Sequence, residues 1–261
     1  MSIRTRTDGG VATIILADAE TRNAITGADM IEDILDALDE AESAPEVAVV
    51  VIEAEGPAFS SGGNVKDMAA REGLFSGAPA EQMEGYRDTI QQLTRLLATT
   101  DLVTIASVNG PAVGAGFDLV LGCDLRFGSR NARFAHTFIE MGIIPGDGGA
   151  WLLPRVVGWQ RATELALTAR FITAAEAENY GVLLEVVPED KLDQRVAELA
   201  RAIASKPRPA VTLTKRLLRQ SRSMDLDGFL ELSAALQAIA HTTPEHETAV
   251  ADYVEGLNKR R

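Results

Sequence analysis

Two glycine-rich segments carry residue types that can stabilise a negative charge through backbone groups alone. Residues 58–64 are AFSSGGN and residues 109–118 are NGPAVGAGFD, and each comes shortly after an aliphatic run. Small residues after a strand leave backbone N–H groups open to a ligand. The second segment continues into Leu119, Val120 and Leu121, which predicts that it opens a helix. Because a helix N-terminus has unpaired N–H groups and partial positive charge, the pattern favours an anion or a developing oxyanion.

Two nucleotide-binding motifs match the same glycines poorly. A dinucleotide site that uses Gly114 and Gly116 would need a third glycine where Leu119 stands. The chain also has no G-x-x-x-x-G-K-[ST] segment for a phosphate-binding P-loop. For either segment alone, glycines that serve only to make tight turns remain an equal alternative.

Nucleophilic and metal chemistry find little support in the sequence. Ser61 has neither a G-x-S-x-G elbow nor a neighbouring histidine, so an acyl nucleophile is not predicted there. His241 and His246 are five residues apart and lack the i, i+4 spacing of a helical metal pair, and we predict no metal. Cys123 lies among apolar residues, which is typical of inert core.

The spacing of apolar residues and the positions of turn residues predict the strands and helices around these segments. Residues 2–7 and 11–16 flank Asp8-Gly9-Gly10, the pattern of a β-hairpin. Thr26 predicts the N-cap of a helix, and residues 84–99 predict another. Residues 47–52 and 102–108 are apolar on both faces, which indicates strands buried on both sides. Strand and helix therefore alternate, and the fold class is α/β.

The later part of the chain is predicted to be mainly helical. Thr173 and Glu176 form a capping box, and residues 182–187 predict one more short strand. Helices are predicted over residues 190–205, 210–220 and 226–241, while residues 70–82 are expected to form a loop. We therefore predict an α/β core over residues 1–200 and a C-terminal helical segment over residues 201–261.

Composition bounds the class of protein and its partners. The chain has 261 residues with 38 acidic and 25 basic side chains, a formal net charge of −13. This excess of acid argues against nucleic-acid binding, which needs clustered Lys and Arg. The single cysteine rules out a disulfide framework, and the N-terminus lacks the pattern of a signal peptide. We expect a cytoplasmic protein with no membrane span.

Taken together, several motifs resemble the crotonase, or enoyl-CoA hydratase/isomerase, superfamily, and the resemblance covers nearly the whole chain. The motifs, in order, are TRNAI at 21–25, AFSSGGNVKDM at 58–68, NGPAVGAGFD at 109–118, CD at 123–124, Phe134, GIIPGDGG at 142–149 and LPRVVG at 153–158. The resemblance implies a spiral of ββα units whose C-terminal helices help to form trimers or hexamers. It also implies a coenzyme A thioester as substrate, with no separate cofactor.

The resemblance further implies which positions meet the substrate. In the family two backbone amides polarise the thioester carbonyl, and the positions that match them are Ser61 and Ala115. Arg22 and Lys66 are candidates for the phosphates of coenzyme A. The full set of residues expected to contact the substrate is Arg22, Ala24, Gly62, Gly63, Asn64, Lys66, Gly114, Phe138 and Trp151.

The acid/base positions depart from the usual pattern. Asp118 occupies the position of the first catalytic glutamate, and Phe138 occupies that of the second. Because phenylalanine cannot transfer a proton, the two-glutamate hydration mechanism does not carry over. Asp147 and Glu140 are the candidates to replace it, with Asp118 in the main proton-transfer role. Capping of the following helix is an equal alternative for Asp147.

We therefore expect an enzyme that stabilises a thioester enolate and adds water or shifts a double bond at C2–C3. Attack by Asp147, as in dehalogenase-like or hydrolase-like relatives, is one alternative. A non-catalytic acyl-CoA-binding protein is the other. A homotrimer or a dimer of trimers is expected. His136 lies near this region, and a structural role is favoured over one beside the acyl pocket.

Overall fold

The computed structural model describes residues 2–26 and 28–259 and has a mixed α/β architecture. Its strands are β1 (Ile3–Asp8), β2 (Val11–Leu16), β3 (Val49–Ala54), β4 (Val103–Val108), β5 (Pro111–Val113), β6 (Leu125–Ser129), β7 (Arg133–Ala135), β8 (Ile172–Thr173) and β9 (Glu185–Val187). The main sheet has the order β1-β2-β3-β4-β6-β9, in which β1 and β2 are antiparallel and the other pairs parallel. A smaller sheet has the order β5-β7-β8.

Helices connect the parallel strands and complete the chain. They are α1 (Ala28–Ser43), α2 (Val65–Ala70), α3 (Pro79–Asp88), α4 (Ile90–Thr99), α5 (Ala115–Gly122), α6 (Gly149–Val157), α7 (Trp159–Thr168), α8 (Ala174–Asn179), α9 (Leu192–Ala204), α10 (Arg208–Gln220), α11 (Leu226–Ala240) and α12 (Pro244–Lys259). Short 3-10 turns cover Gly73–Phe75, Thr137–Met141 and Glu189–Lys191.

The central strands β3 and β4 of the main sheet are buried on both faces, as their aliphatic sequences predict. In β3, Val50 and Ile52 join the large core cluster with α1, α4 and α5, whereas Val49 and Val51 pack with α9 on the other face. Alternate residues of a strand point to opposite faces, so a strand covered on both sides must be apolar throughout. This packing fixes the edge of the sheet from which the glycine-rich segments leave.

The boundaries of several elements differ from the sequence prediction. The helix expected over residues 84–99 is two helices, because Thr89 leaves the helical region (φ −124°, ψ −98°) and its hydroxyl donates to the Gly85 carbonyl at 2.6 Å. The expected loop at 70–82 contains a 3-10 turn and the start of α3. Helix α12 has no counterpart among the predicted helices. Thr26 precedes α1, but Gly27, between them, lies outside the described residues, so the predicted cap is not tested.

The C-terminal helices leave apolar side chains exposed. Leu226, Leu230 and Ile239 on α11 and Val254 on α12 are each about half exposed or more. Helix α10 is tied to the core by Lys215, whose ammonium donates to the Leu102 carbonyl at 2.5 Å. Among the described residues, no helix is long and apolar enough to cross a membrane.

Candidate active site

A cavity of about 320 Å³ opens where the two glycine-rich segments meet. Most of its wall is apolar, including Met68, Leu74, Phe75, Ile90, Phe138 and Met141. Its titratable lining residues are Tyr86, Glu140 and Asp147. Such a mostly apolar cleft with a few convergent polar groups is typical of a small-molecule site.

The first glycine-rich segment is held by hydrogen bonds that use most of its amides. The Ser61 N–H donates to the Arg22 carbonyl at 2.9 Å, and the Gly62 N–H donates to Ser60 Oγ at 3.1 Å. The Asn64 N–H donates to Thr26 Oγ1 at 2.8 Å. Within the described part of the chain, the Gly63 N–H has no acceptor, and Gly63 lines the cavity.

This arrangement bears on one sequence assignment, which stays a prediction. The sequence assigns the Ser61 amide to polarise a carbonyl, but its hydrogen is used by Arg22. Such an N–H cannot be given to a ligand without breaking the pairing between the Arg22 and Ser61 segments. Gly63, which the sequence places only among the coenzyme A contacts, is therefore the better candidate for the amide donor. Its signal in the sequence, a second glycine in succession, is indistinguishable from a turn.

The second segment presents the other amide. Helix α5 begins at Ala115, whose N–H lies at the first helical position and has no acceptor among the described residues. Gly114 precedes it with a positive φ of 52°, a conformation that glycine adopts without strain. The two segments touch at Gly62, where a Cβ would collide with the Val113 carbonyl and lie 3.3 Å from the Ala115 nitrogen. Gly63 and Ala115 thus line one cavity from adjoining loops, and the N–H of each has no acceptor among the described residues.

Asp118 lies one turn into α5 and is buried. Its Oδ1 is 2.6 Å from His136 Nε2, and the side chains are 2% and 1% exposed. Asp118 does not line the cavity, so its expected direct contact with substrate is not what the structure shows. The reason is geometric, since the side chain points behind the first turn of α5 toward Gly149, where a Cβ would overlap the carboxyl oxygens.

Asp147 is the buried acid that lines the cavity. Helix α4 fixes its loop, because Thr94 Oγ1 donates to the Asp147 carbonyl at 2.5 Å and Gln91 Nε2 donates to the Gly146 carbonyl at 2.8 Å. The alternative that Asp147 caps α6 is wrong. Gly148 occupies the N-cap with φ 117°, and no side chain makes the capping hydrogen bond.

Burial shifts the pKa values of four side chains in and behind the cavity wall, namely Tyr86, Asp118, His136 and Asp147. Desolvation raises the pKa of Asp118 to about 7, and desolvation together with the nearby Asp118 carboxyl raises the pKa of Asp147 well above its ordinary value. Desolvation lowers the pKa of His136 to about 4, so its imidazole is neutral at pH 7. Burial, and to a lesser degree the charge of Asp147, also raises the pKa of Tyr86. Perturbed acids beside a cavity are typical of acid/base sites.

The remaining predicted residues fall at different distances from the cavity. Phe138 forms part of the wall, and Glu140 lines it but is exposed. Trp151 is 49% exposed on α6, lies under the Arg155 guanidinium at 3.8 Å and does not line the cavity, so its contact with substrate stays a prediction. Trp151 therefore lies on the solvent-exposed side of α6.

The predicted coenzyme A contacts surround the first segment. Ala24 pairs with Gly62 in an isolated parallel bridge, and Asn64 caps α2 by accepting from the Lys66 N–H at 3.1 Å. The side chains of Arg22 and Lys66 are exposed beside this loop. Their contact with phosphates stays a prediction. Within residues 2–26 and 28–259, no group of three or more His, Cys, Asp or Glu could hold a metal ion.

The chain is similar to known proteins in sequence and in fold. The family described as enoyl-CoA hydratase/isomerase matches residues 6–260. The chain is 30% identical to 1,2-epoxyphenylacetyl-CoA isomerase of Escherichia coli strain K12, over 98% of this chain and 94% of that protein. It is 32% identical to 4-chlorobenzoyl coenzyme A dehalogenase-1 of an Arthrobacter species, over 85% of this chain and 79% of that protein. The crystal structure of an enoyl-CoA hydratase from Bacillus anthracis superposes with a TM-score of 0.91 at 27% identity, covering 98% of this chain and 97% of that one.

Proposed function

Because the chain belongs to the enoyl-CoA hydratase/isomerase family, we propose that it moves a double bond in an acyl-CoA thioester by proton transfer through Asp147. The observation that carries this proposal is the single buried carboxyl, Asp147, in a cavity whose wall holds Phe138 where hydratases of the family place a second glutamate.

The thioester carbonyl oxygen is placed between the N–H groups of Gly63 and Ala115. Removal of a proton from C2 puts negative charge on this oxygen, and two fixed donors stabilise it most strongly when the charge has developed. Helix α5 adds the partial positive charge of its N-terminus at the same point. The two amides therefore supply charge stabilisation without a cation.

The proposed step balances without any co-reactant. The carboxyl oxygen of Asp147 on the cavity side, called the outer oxygen, takes a proton from C2. The electron pair of the C2–H bond becomes part of a dienolate that extends from the carbonyl oxygen to C4. The same oxygen then returns a proton to C4, so that the double bond moves from C3–C4 to C2–C3. The reaction needs one acid/base group on one face of the substrate, and Asp147 is placed to provide it.

Hydration needs an additional group that positions and activates a water molecule. Phe138 provides no such group, and Glu140 is exposed to solvent at the wall of the cavity. The apolar wall also favours an apolar acyl group over a hydrated one. These features support isomerisation over hydration.

The test follows both reactions in one sample. A 3-enoyl-CoA with an apolar acyl chain is incubated in D₂O, and NMR monitors deuterium at C2 and C4, double-bond migration and water addition. We expect deuterium exchange and migration, with slower hydration. Hydration without migration would contradict the proposal. Halide release from a halogenated aroyl-CoA, included because one relative is named a dehalogenase, would also contradict it.

We further propose that residues 201–261 form contacts between subunits in a trimer or a dimer of trimers. The support is the exposed apolar surface of α11 and α12 (Leu226, Leu230, Ile239 and Val254), which is unusual for an isolated chain. Light scattering at micromolar concentration tests the state, and a monomeric mass would contradict it. A cytoplasmic location stays a proposal that cell fractionation tests.

A further inference from the structure

Behind the cavity wall, three buried polar side chains meet although the proposed step uses only one of them. Asp147 lines the cavity, Asp118 is buried and does not line it, and His136 Nε2 lies 2.6 Å from Asp118 Oδ1. Each comes from a different segment of the chain: the loop before α6, α5, and the turn after β7. Buried polar groups without partners are costly, so the cluster needs a compensating arrangement of protons and donors.

Two oxygens in the cluster lack a donor when both acids are ionised. They are Asp118 Oδ2 and Asp147 Oδ1, both fully shielded from solvent. The Asp118 carboxyl lies against Gly149, two residues after Asp147, and each acid shifts the pKa of the other. One proton shared between these two oxygens would satisfy both at once. A single proton shared by two buried acids also avoids two negative charges in one dry site.

The donors around the pair decide which acid carries the remaining charge. Asp118 Oδ1 lies 2.6 Å from His136 Nε2, and the Gly149 backbone packs against the same carboxyl group. Asp147 Oδ1, in contrast, has no hydrogen-bond partner among the described residues. Since His136 is neutral, a hydrogen bond to an ionised carboxylate requires the hydrogen to be on Nε2. The hydrogen bond from His136 therefore makes Asp118, and not Asp147, the acid on which a negative charge is better stabilised.

We propose that His136 is a positioning residue for the reaction: its Nε2–H keeps the negative charge of the acid pair on Asp118 and leaves Asp147 as a proton carrier at the cavity. This inference rests on the proposed function for its role in catalysis. Asp118 is a positioning residue in the same sense, since it acts on substrate only through Asp147.

The relay is balanced in both directions. The outer oxygen of Asp147 accepts the proton from C2 while its inner Oδ1–H bond breaks and that proton joins Asp118 Oδ2. On return, the outer oxygen gives its proton to C4, and Asp118 gives its proton back to Asp147 Oδ1. The buried carboxylate of Asp118 is thus the base of the pair, and Asp147 carries protons between it and the substrate.

The other titratable groups that face the pair are weak competitors for this role. Tyr86 on α3 and Glu140 in the turn Thr137–Met141 line the same cavity as Asp147. Burial holds the phenol of Tyr86 neutral at physiological pH, because it raises its pKa above the ordinary value of 10.0. No Lys or Arg is among the residues that line the described cavity. The His136 imidazole, 2.6 Å from Asp118 Oδ1, is thus the main group that favours ionisation of the pair.

The test measures the titration of the pair directly and needs no activity. Carboxyl-¹³C-aspartate NMR follows the unliganded protein from acid to alkaline pH, with Asp118→Asn and Asp147→Asn used for assignment. The wild-type pair should lose its first proton near pH 7. In His136→Leu the loss of a donor to a charged group should move this midpoint upward by about one to two pH units. In His136→Gln, whose amide nitrogen can replace Nε2, the midpoint should stay near the wild-type value.

Phe134→Leu is the matched control for lost packing. Phe134 is buried beside Phe117, which also contacts the His136 ring, yet it offers no hydrogen bond. Phe134→Leu should lower stability without moving the midpoint. If His136→Leu does not fold, His136→Asn replaces it, because the shorter amide does not reach the Nε2 position. An unchanged midpoint in the donor-deficient variant, or an equal shift in His136→Gln, would overturn the proposal.

The catalytic consequence is measured separately. The acid limb of the kcat–pH profile for deuterium exchange should move upward in His136→Leu and recover in His136→Gln. If the wild-type protein neither exchanges nor migrates a double bond, the proposed function fails while the NMR titration still tests the proton arrangement. If activity is present but the NMR midpoint does not move, only the role of His136 fails.

Discussion

Asp147→Asn separates a catalytic role from a structural one. If Asp147 carries the proton, the variant should lose about 100- to 10,000-fold in kcat, the usual contribution of a general acid/base. That loss corresponds to about 2.7 to 5.4 kcal/mol of activation free energy. Binding of acyl-CoA should change little, because the two amides at Gly63 and Ala115 are intact.

The stability of Asp147→Asn should change with pH in a defined direction. In the native protein the pKa of Asp147 is raised well above its ordinary value, so native Asp147 keeps a proton that the unfolded chain releases. Rising pH therefore favours unfolding of the wild-type chain through this residue. Asparagine does not titrate. The variant should gain stability relative to wild type by about 1.4 kcal/mol per pH unit between about pH 5 and pH 7.

The assay is urea unfolding of both proteins at several pH values, with kcat measured on the same preparations. Asp39→Asn, an exposed aspartate on α1, is the matched control and should show neither effect. A variant that keeps its rate would remove Asp147 from the mechanism. A stability difference that does not depend on pH would refute the claim that Asp147 is protonated in the native state.

Four more variants probe an amide donor, the cavity wall, a helix cap and the exposed face of α11. Ala115→Pro, which deletes an N–H at a first helical position where proline fits, should lower kcat by about 100- to 1,000-fold with an unchanged circular dichroism spectrum. Phe138→Glu should raise the hydration rate and lower the migration rate, measured in the D₂O assay. Asp225→Ala, which removes the carboxylate that accepts from the Gly228 N–H at 2.9 Å, should cost about 1 kcal/mol in thermal unfolding. Leu230→Glu on the exposed face of α11 should reduce the mass found by light scattering.

The sequence predicts well the elements whose local signals agree with their packing. Strand β2 has the predicted bounds, and the capping box of Thr173 and Glu176 is confirmed by reciprocal hydrogen bonds at the start of α8. The aliphatic runs form most of β3 and β4, because burial on both faces keeps polar positions few in these strands. The sequence does not reveal the break at Thr89. The helical spacing of the apolar residues in α4 continues back into α3, which has few apolar residues.

The choice between the amides of Ser61 and Gly63 is not visible in the sequence for a different reason. Ser61 and Gly63 are close together in a loop of small side chains, and both line the cavity. Which amide is free depends on Arg22, a distant residue in the chain, whose carbonyl takes the Ser61 hydrogen. A long-range backbone hydrogen bond has no side-chain signature, so residue types alone do not reveal it.

The meeting of Asp118 and His136 is likewise hidden in the topology. Strands β5 and β7 are parallel and only three residues long, with Val113 opposite Ala135. The Gly114 N–H then donates to the Ala135 carbonyl at 2.9 Å, which places residue 136 beside the start of α5. Asp118 follows one helical turn later, on the side of α5 that faces the imidazole. These strands are too short to be recognised from the sequence. The sequence therefore does not predict that Asp118 and His136 lie in contact.

The position of the negative charge also bears on which chemistry the cavity permits. Displacement of a leaving group by a carboxylate needs an ionised oxygen at the cavity surface, where it can attack carbon. In the proposed arrangement the charge is on Asp118, one carboxyl group behind the wall, and the cavity-facing Asp147 is neutral. A neutral acid can accept and release protons through its two oxygens but is a poor nucleophile. The same hydrogen bond from His136 that makes Asp118 the buried base therefore favours proton transfer over covalent attack.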